Sequence, residues 1–382
     1  MMEADKLVYL DNAATTVVDN EVLEAYNKAK KLYFANPSSI HIPGQEAHRM
    51  LEKAREQILN ILNCHDHELI FTSGATEANN LAIKGYAFKR MNRGKHIIVS
   101  NVEHPSVLEV AKQLEENFGF CVTYLPVNKD GVVEIETLKK AMRNDTILVS
   151  IMAVNNEIGT INPIHDIAKW LKNYPLVALH VDATQAMGKI NLPYDEIDMF
   201  TFSGHKIHGL NSSGALIKRK KIELLPLLSG GGQENNYRSG TNDLALAVSL
   251  AKAVRLSNER MKDNYTKLLP IANYLKEYIL SHRDLFELNS GDNLYIVNFS
   301  LLTKKASVVV EALSSMGIMV SSTSACHAKE EPISYVVLAL GKSEKIAHNT
   351  VRVSLSDKTT LDDIKKLIEA LEKIMEGLKY ND

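Results

Sequence analysis

The sequence predicts an α/β fold: a large unit with a mainly parallel, seven-stranded sheet, and a smaller α+β unit towards the C-terminus. Between residues 69 and 217, short apolar runs alternate with segments of helical spacing. Strands and helices that alternate in this way form a mainly parallel sheet that is covered on both faces. Beyond residue 243, a long helical pattern leads to a few further strands and helices, which predicts the second unit.

The elements follow from two periodicities. Short apolar runs bounded by turn residues predict strands, and apolar residues spaced three or four apart predict helices. The predicted strands are residues 7–10, 69–72, 96–100, 120–125, 147–154, 176–181, 199–203, 214–217, 295–300, 318–321 and 351–355. The predicted helices are residues 20–34, 44–62, 76–91, 105–117, 134–143, 163–173, 243–280, 305–316 and 360–378.

The division into units follows from the long helical pattern. We expect a large domain over residues 16–255, and a small domain made of residues 1–15 and 256–382. The first residues are assigned to the small domain because chain ends often lie close together.

Composition narrows the class of protein. The 382 residues are 45% hydrophobic and 24% charged, which is ordinary for a globular chain. A net charge of −2 gives no reason to expect direct nucleic-acid binding or an acidic membrane as partner. No apolar run reaches membrane-spanning length, and Glu3 and Asp5 stand where a secretory segment would be basic. We therefore expect a cytoplasmic protein without a membrane partner.

Three cysteines are too few, and odd in number, for a disulfide framework. Cys64 stands beside His65 and His67, which leaves a metal site or a plain helix-end cysteine open. Cys121 opens an apolar run and is predicted to be a core residue.

Lys206 directly follows a predicted buried strand, in the stretch Ser203-Gly204-His205-Lys206. A lysine at a strand end among small polar groups can be held inside a site and form a Schiff base with an aldehyde. A surface lysine after a turn is the alternative for Lys206 considered alone.

Two further stretches end predicted strands. Ser73-Gly74-Ala75-Thr76 opens a helix whose backbone N–H groups suit a phosphate, although Thr76 would also serve as a plain helix cap. Asp182 ends the strand at 176–181, where parallel sheets bind ligands, and Gln185 follows it. Asp182 could hold a proton on a pyridine nitrogen, or simply cap the next helix.

A phosphate cradle, a strand-end carboxylate and a strand-end lysine together describe a site for pyridoxal 5′-phosphate (PLP). His104, which follows the strand at 96–100, could stack on the cofactor ring or move a proton there. A histidine in a surface loop is the alternative for His104.

Many ordered stretches extend this pattern over nearly the whole chain: residues 9–16, 36–39, 71–80, 103–104, 155–159, 180–189, 203–209, 230–234, 238–241, 324–326 and 352–354. Through these motifs the chain resembles the cysteine desulfurases, the NifS/IscS-like members of the class V aminotransferases. The resemblance implies PLP-dependent fold type I, with the catalytic cysteine loop in the small domain.

The resemblance implies a role for each matching residue. Lys206 would carry PLP as a Schiff base, Asp182 would pair with the pyridine nitrogen, and Gln185 would bond the ring hydroxyl. His104 would stack on the ring. The phosphate would be held by Ala75, Thr76, Ser203 and His205, and by Thr241 from the neighbouring subunit of a homodimer. Asn155 and Arg352 would bind the substrate carboxylate, a task for which a guanidinium is well shaped.

Cys326 would be the nucleophile. It lies in a small, polar segment, which predicts a mobile loop, and His327 and Lys329 could favour its thiolate. The implied reaction converts L-cysteine into L-alanine and leaves a persulfide on Cys326. Lys206 would remove the Cα proton, and the sulfur would pass to an acceptor protein, such as an iron–sulfur scaffold or a thiolation enzyme. Without the resemblance, an inert loop cysteine would be preferred.

The chain departs from the family pattern at Leu210-Asn211-Ser212, Asn235, Asn242-Asp243 and Thr323. These departures leave open whether the chain is a specialised paralogue or the general housekeeping enzyme. The alternatives to a cysteine desulfurase are a selenocysteine lyase or another class V PLP enzyme, and a non-catalytic sulfur-relay or scaffold protein. The sequence does not name the sulfur acceptor.

Overall fold

The computed structural model describes residues 7–322 and 333–377 of the chain. Its strands are β1 (Val8–Tyr9), β2 (His67–Thr72), β3 (His96–Ser100), β4 (Cys121–Leu125), β5 (Thr146–Ser150), β6 (Ala178–Asp182), β7 (Met199–Ser203), β8 (Gly214–Arg219), β9 (Phe286–Leu288), β10 (Ile296–Leu301), β11 (Ile318–Met319), β12 (Ser321–Ser322) and β13 (Thr350–Ser354).

Its helices are α1 (Asn20–Leu32), α2 (Ile42–Ile61), α3 (Ala75–Arg90), α4 (Pro105–Phe118), α5 (Ile135–Ala141), α6 (Ile164–Leu171), α7 (Leu244–Ser281), α8 (Ala306–Ser315), α9 (Tyr335–Ala339), α10 (Glu344–His348) and α11 (Leu361–Gly377).

The larger sheet has seven strands in the order β2-β8-β7-β6-β5-β3-β4. All neighbouring pairs are parallel except those of β8, which runs antiparallel to both β2 and β7. Every residue of β3, β5, β6 and β7 is buried, as expected for central parallel strands between two helical layers. The predicted mainly parallel sheet is confirmed.

The pairing register of β6 and β7 places the carboxyl ends of these two strands side by side. His180 pairs with Met199, and Asp182 pairs with Thr201. The polar residues that follow these strands therefore share one edge of the sheet, where open α/β sheets bind ligands.

The remaining strands form two smaller sheets. Strands β12, β13, β10 and β9 make an antiparallel sheet, and β1 pairs in parallel with β11. Both pack on a second hydrophobic core, which includes Leu10 from the N-terminal segment. Three short elements, β9, α9 and α10, were not predicted, because three to five residues cannot display a periodicity.

Helix α7 packs in both cores. Its first half, from Leu244 to Leu256, contributes to the core of the large sheet, and its second half, from Leu268 to Ile279, contributes to the second core. Pro270 lies inside this 38-residue helix and cannot donate a backbone hydrogen bond there.

The prediction for Cys121 was wrong. This residue is exposed, and its thiol accepts a hydrogen bond of 3.0 Å from Nη1 of Arg143. It begins β4, one of the two edge strands of the large sheet, in which only Val122 and Leu125 are buried.

Candidate active site

Lys206 ends a short 3₁₀ turn, Gly204–Lys206, directly after β7. Its Nζ donates to the backbone carbonyls of Ala13 and Ala14, each at 2.5 Å. The ammonium is thus held inside the molecule, between the sheet edge and the segment that follows β1.

Asp182 ends the neighbouring strand β6 and is 4% exposed. Its Oδ2 accepts from Nδ2 of Asn79 at 2.9 Å, and its Oδ1 accepts from the backbone N–H of Thr184 at 2.9 Å. Two fixed donors therefore orient a buried carboxylate at the sheet edge.

A chain of hydrogen bonds connects Asp182 with His104. The second N–H of the Asn79 amide donates to Oγ of Ser106 at 2.9 Å, and this hydroxyl lies 2.8 Å from Nδ1 of His104. The backbone N–H of Ser106 also donates to Nδ1, which assigns the ring proton to Nε2. Burial lowers the pKa of His104, the charge of Asp182 opposes this shift, and the charge of Lys206 adds to it. Because Nδ1 accepts from the Ser106 N–H, that nitrogen carries no proton and the imidazole is neutral.

Gln185 lies in the tight turns after β6. Its Nε2 donates to Ala13 O at 3.0 Å, and its Oε1 accepts from Nζ of Lys189 at 3.0 Å. Ala13 O thus accepts hydrogen bonds from both Gln185 and Lys206. One backbone carbonyl holds two of the predicted site residues together.

The predicted phosphate cradle lies where α3 begins. Gly74 has φ +145°, which side-chain-bearing residues rarely adopt, and as the N-cap residue it has no side chain of its own to cap the helix. Oγ of Ser203 accepts from the N–H of Ala75 at 2.8 Å, and Thr76 is exposed at the first turn. The start of α3 therefore faces the end of β7, and the N–H groups of its first turn beyond Ala75 remain for an anion.

His205 and Thr241 lie at the rim of this region. Nδ1 of His205 lies 3.2 Å from Oγ1 of Thr15, and burial together with the charges of Lys206 and Lys189 lowers its pKa to about 4. His205 is therefore a neutral hydrogen-bonding group. Thr241 is exposed and borders a depression that Ser73 also lines.

Arg352 lies on β13 of the smaller sheet and is 8% exposed. Its Nη1 donates to Asn156 O at 2.9 Å, and its Nη2 donates to Oδ1 of Asp11 at 3.0 Å. Its buried Nε has no hydrogen-bond partner among the described residues. The guanidinium is thus held firmly by two of its five N–H groups, and further N–H groups have no partner among the described residues and remain for a ligand.

Asn155 is fully buried behind this arginine. Its Oδ1 accepts from the N–H groups of Glu157 and Ile158 at 2.9 and 3.0 Å, and its Nδ2 donates to Val102 O at 2.9 Å. The remaining amide hydrogen faces the weakly accepting sulfur of Met152 at 3.4 Å. A substrate carboxylate would have to compete with that sulfur.

The predicted nucleophile Cys326 and its neighbours His327 and Lys329 lie outside the described residues, as does Thr323. Cys64, by contrast, is buried, and burial raises its thiol pKa to about 12. Within residues 7–322 and 333–377, no group of histidine, cysteine and acidic side chains is arranged to hold a metal ion. The structure therefore favours the helix-end interpretation of Cys64.

Sequence reasoning missed the importance of residues 11–16. This segment supplies Asp11 to Arg352 and the carbonyl of Ala13 to both Lys206 and Gln185. The Thr16 hydroxyl also donates to His205 O at 2.9 Å. Backbone carbonyls leave no signature in a sequence, but the polar turn Asp11-Asn12 after a strand could have drawn attention to this segment. Asn79 was missed for a similar reason, since its role depends on partners far away in sequence.

These residues fit PLP. Lys206 would hold its aldehyde, Asp182 its ring nitrogen, Gln185 its ring oxygen, and the start of α3 its phosphate. At Gly214, an added Cβ would come within 2.6 Å of Gly74 Cα, so the backbone is closely packed behind the phosphate cradle. The site combines one lysine, one buried carboxylate and neutral histidines. This set of side chains matches the chemistry of PLP.

Comparison with known proteins agrees with the fold. Residues 8–367 match the family model of class-V aminotransferases. A cysteine desulfurase IscS of Dictyoglomus turgidum is 41% identical over 97% of this chain and 95% of its own length. The chain therefore belongs to the class-V aminotransferase family and, within it, to the cysteine desulfurases of the IscS/NifS type.

Solved structures show the same likeness. A NifS-like protein superposes with a TM-score of 0.89 at 34% identity, over 98% of this chain and 100% of that one. SspA, solved in complex with cysteine, superposes with a TM-score of 0.78 at 36% identity, over 92% of this chain and 99% of that one. None of the helices in the described ranges is long and apolar enough to cross a membrane.

Proposed function

We propose that the protein is a PLP-dependent cysteine desulfurase that converts L-cysteine into L-alanine and a persulfide on Cys326. The observation that carries this proposal is the convergence of Lys206, Asp182, His104 and Gln185 at one sheet edge, with Arg352 held nearby. Bound PLP would supply an electron-withdrawing ring at the substrate Cα.

Each residue of the site has a separate role in the proposed reaction. Arg352 binds the substrate carboxylate through its remaining N–H groups, and Asn156 O and Asp11 keep the guanidinium in place. Lys206 takes the Cα proton as general base. Neutral His104 presents its Nε2–H to the site, while Asp182 would pair with the ring nitrogen of bound PLP.

Cys326 then takes the sulfur. Its thiolate forms an S–S bond to the substrate sulfur as the C–S bond breaks, and the electron pair of that bond stays with carbon. Protonation of that carbon gives L-alanine, so one thiol and one L-cysteine become one persulfide and one L-alanine. The persulfide passes to an acceptor protein, of the iron–sulfur scaffold or thiolation class, in the cytoplasm.

A homodimer completes the site in this proposal, because Thr241 would bind the cofactor phosphate of the partner subunit. Its exposure supports this role. Phe34 and Ile40 are 81% and 92% exposed, which is unusual for large apolar side chains on a free surface. Residues around Ile40 line the same groove as Asn242, next to Thr241.

The test compares Cys326→Ala with Cys121→Ala after incubation with PLP and L-cysteine, with alanine and sulfide as readouts. Cys326→Ala should lose alanine formation, and Cys121→Ala, which removes an exposed thiol elsewhere, should keep it. Release of alanine and sulfide at the normal rate by Cys326→Ala would contradict the assignment of Cys326 as the nucleophile. A keto acid product, or turnover of selenocysteine alone, would favour the other class V PLP enzymes.

A further inference from the structure

A second lysine, Lys189, lies directly behind Gln185. Its Nζ donates to Oε1 of Gln185 at 3.0 Å, while Nε2 of Gln185 donates to Ala13 O at 3.0 Å. Lys189 donates in this contact, and a backbone carbonyl only accepts hydrogen bonds. Both neighbours therefore favour the same orientation of the Gln185 amide, with Nε2 towards Ala13 O and Oε1 towards Lys189.

We propose that Lys189 is a positioning residue: it holds Gln185 so that the amide N–H₂ faces the site and donates to the ring oxygen of bound PLP. This inference rests on the proposed function, because it requires the cofactor. Gln185 has one N–H on Ala13 O, and its second N–H is the donor for the ring oxygen. A donor at that place stabilises the ionised form of the oxygen.

The surroundings of Lys189 support this role. It borders a cavity of about 40 Å³ that Lys206 also lines, and its Nζ lies 5.9 Å from the ring centroid of Tyr295. Burial, with the charges of Lys206 and Arg352, lowers the pKa of Lys189 to about 7. A lysine kept in a position so unfavourable to its charge is typical of a functional site.

The turn before Lys189 is tightly placed. Gly188 has φ +66°, and a Cβ there would lie 2.4 Å from the side chain of Ser257 on α7. The turn therefore cannot readily shift, and Lys189 reaches Gln185 from a fixed backbone position.

Loss of Lys189 would leave Oε1 of Gln185 without a donor. Only the bond to Ala13 O would then hold the amide, and a buried amide oxygen without a donor favours rotation towards another donor. A protonated ring oxygen of the cofactor is such a donor, so the amide would then favour the protonated ring oxygen over the ionised one. The two forms absorb differently: the ionised oxygen gives the longer-wavelength visible band.

The experiment records absorption spectra and PLP affinity of the full-length holoenzyme with Lys189→Met and Lys189→Arg. We expect Lys189→Met to lose intensity in the longer-wavelength band and to lower kcat/KM about tenfold, the scale of one lost charge-assisted hydrogen bond. Lys189→Arg retains a donor and should restore the band. Lys276→Met removes another lysine–carbonyl hydrogen bond, in the second unit, and should leave the spectrum unchanged.

Two further variants decide the remaining cases. If Lys189→Met does not fold, Lys189→Gln takes its place. Glutamine keeps a neutral hydrogen-bond donor, so this variant should retain the wild-type absorption band. A changed band in folded Lys189→Gln would overturn the proposal. In a Gln185→Ala background, Lys189→Met should have no further spectral effect, and additive effects would contradict a role through Gln185.

The outcomes separate this inference from the proposed function. An unchanged spectrum and unchanged kcat/KM in Lys189→Met would overturn the role of Lys189 alone. A wild-type chain that gains no visible absorption with PLP would overturn the proposed cofactor, and this inference with it.

Discussion

At the scale of single residues, Arg352 shows how a charged group can be both held and available. Asn156 O and Asp11 occupy two of its nitrogens, and its third nitrogen is buried without a partner among the described residues. Burial raises the pKa of Asp11, while the guanidinium opposes that shift. Asp11 thus helps to fix the orientation of the arginine, to which we assign the substrate carboxylate.

We expect Arg352→Lys to raise KM for L-cysteine about 10- to 100-fold, because lysine cannot reproduce hydrogen bonds from several nitrogens of one planar group. Steady-state alanine formation at varied L-cysteine measures this change. Arg143→Lys alters an exposed ion pair with Asp145 and serves as the control. An unchanged KM in Arg352→Lys would contradict the proposed substrate role.

Glu103 is a buried acid directly before His104. Burial raises the pKa of Glu103 to about 8, and the charge of Asp182 raises it as well. The hydrogen bonds that Ser100 Oγ and the Met152 N–H donate to Oε1, at 2.6 and 2.8 Å, oppose this rise. Its Oε2 has no hydrogen-bond partner among the described residues. Glu103 is therefore protonated and neutral at pH 7 in the folded chain.

The sign of the resulting pH effect follows from linkage. Between its ordinary pKa and about 8, Glu103 loses its proton in the unfolded chain but keeps it in the folded chain. Stability therefore falls as pH rises through this window, by roughly 1.4 kcal/mol per pH unit at most.

We expect Glu103→Gln to remove this contribution, so that its free energy of unfolding falls less than that of the wild type between about pH 5 and about pH 8. Urea unfolding across this range measures the difference. Glu24→Gln replaces an exposed glutamate and is the control. Parallel pH profiles for Glu103→Gln and wild type would contradict the prediction.

At the scale of elements, the site depends on where strands stop and helices begin. Strand ends are visible in a sequence, so Lys206, Asp182 and His104 could be proposed from it. The hydrogen bonds of Asn79 and the carbonyl of Ala13 could not be proposed, because they join segments 103 and 193 positions apart. The prediction that Cys121 is a core residue failed because the order of strands in the sheet, which makes β4 an edge strand, cannot be inferred from local sequence.

The start of α3 is the element most sensitive to a small change. We expect Gly74→Ala to weaken PLP binding at least about tenfold, because φ +145° strains any L side chain by roughly 1–3 kcal/mol. The added Cβ would also lie 3.3 Å from Oγ of Ser203.

Cofactor titration followed by absorbance measures this affinity. Gly377→Ala makes the same chemical change where nothing lies within 4 Å, and should leave PLP binding unaltered. Equal affinity in both variants would show that the conformation of Gly74 does not matter for the cofactor.

The two halves of α7 pack in different cores, which supports the proposed domain division near residues 255 and 256. That division stays a prediction. Asn235, one of the departures from the family pattern, lies among three consecutive residues with positive φ, namely Glu234, Asn235 and Asn236. Asparagine tolerates this conformation better than most residues, which gives a local reason for its presence.

At the scale of the whole molecule, the exposed apolar residues around Ile40 support the proposed homodimer. We expect Ile40→Asp to shift the protein from dimer towards monomer and to weaken PLP binding, because Thr241 would no longer reach the partner's phosphate. Light scattering after size-exclusion chromatography measures the mass.

Leu176→Asp changes an apolar side chain that is also more than half exposed, away from this surface, and should remain dimeric. A wild-type chain that is monomeric with full PLP affinity would contradict the dimer.

The central claim is that Lys206 and its neighbours at the sheet edge prepare L-cysteine for the transfer of its sulfur to Cys326. The most direct test incubates the PLP-loaded protein with one equivalent of L-cysteine, quenches it, and maps modified cysteines by mass spectrometry while quantifying alanine. We expect one added sulfur on Cys326, none on Cys64 or Cys121, an equal amount of alanine, and neither product from Lys206→Ala. Alanine without sulfur on Cys326, or persulfide formation by Lys206→Ala at the wild-type rate, would contradict the account.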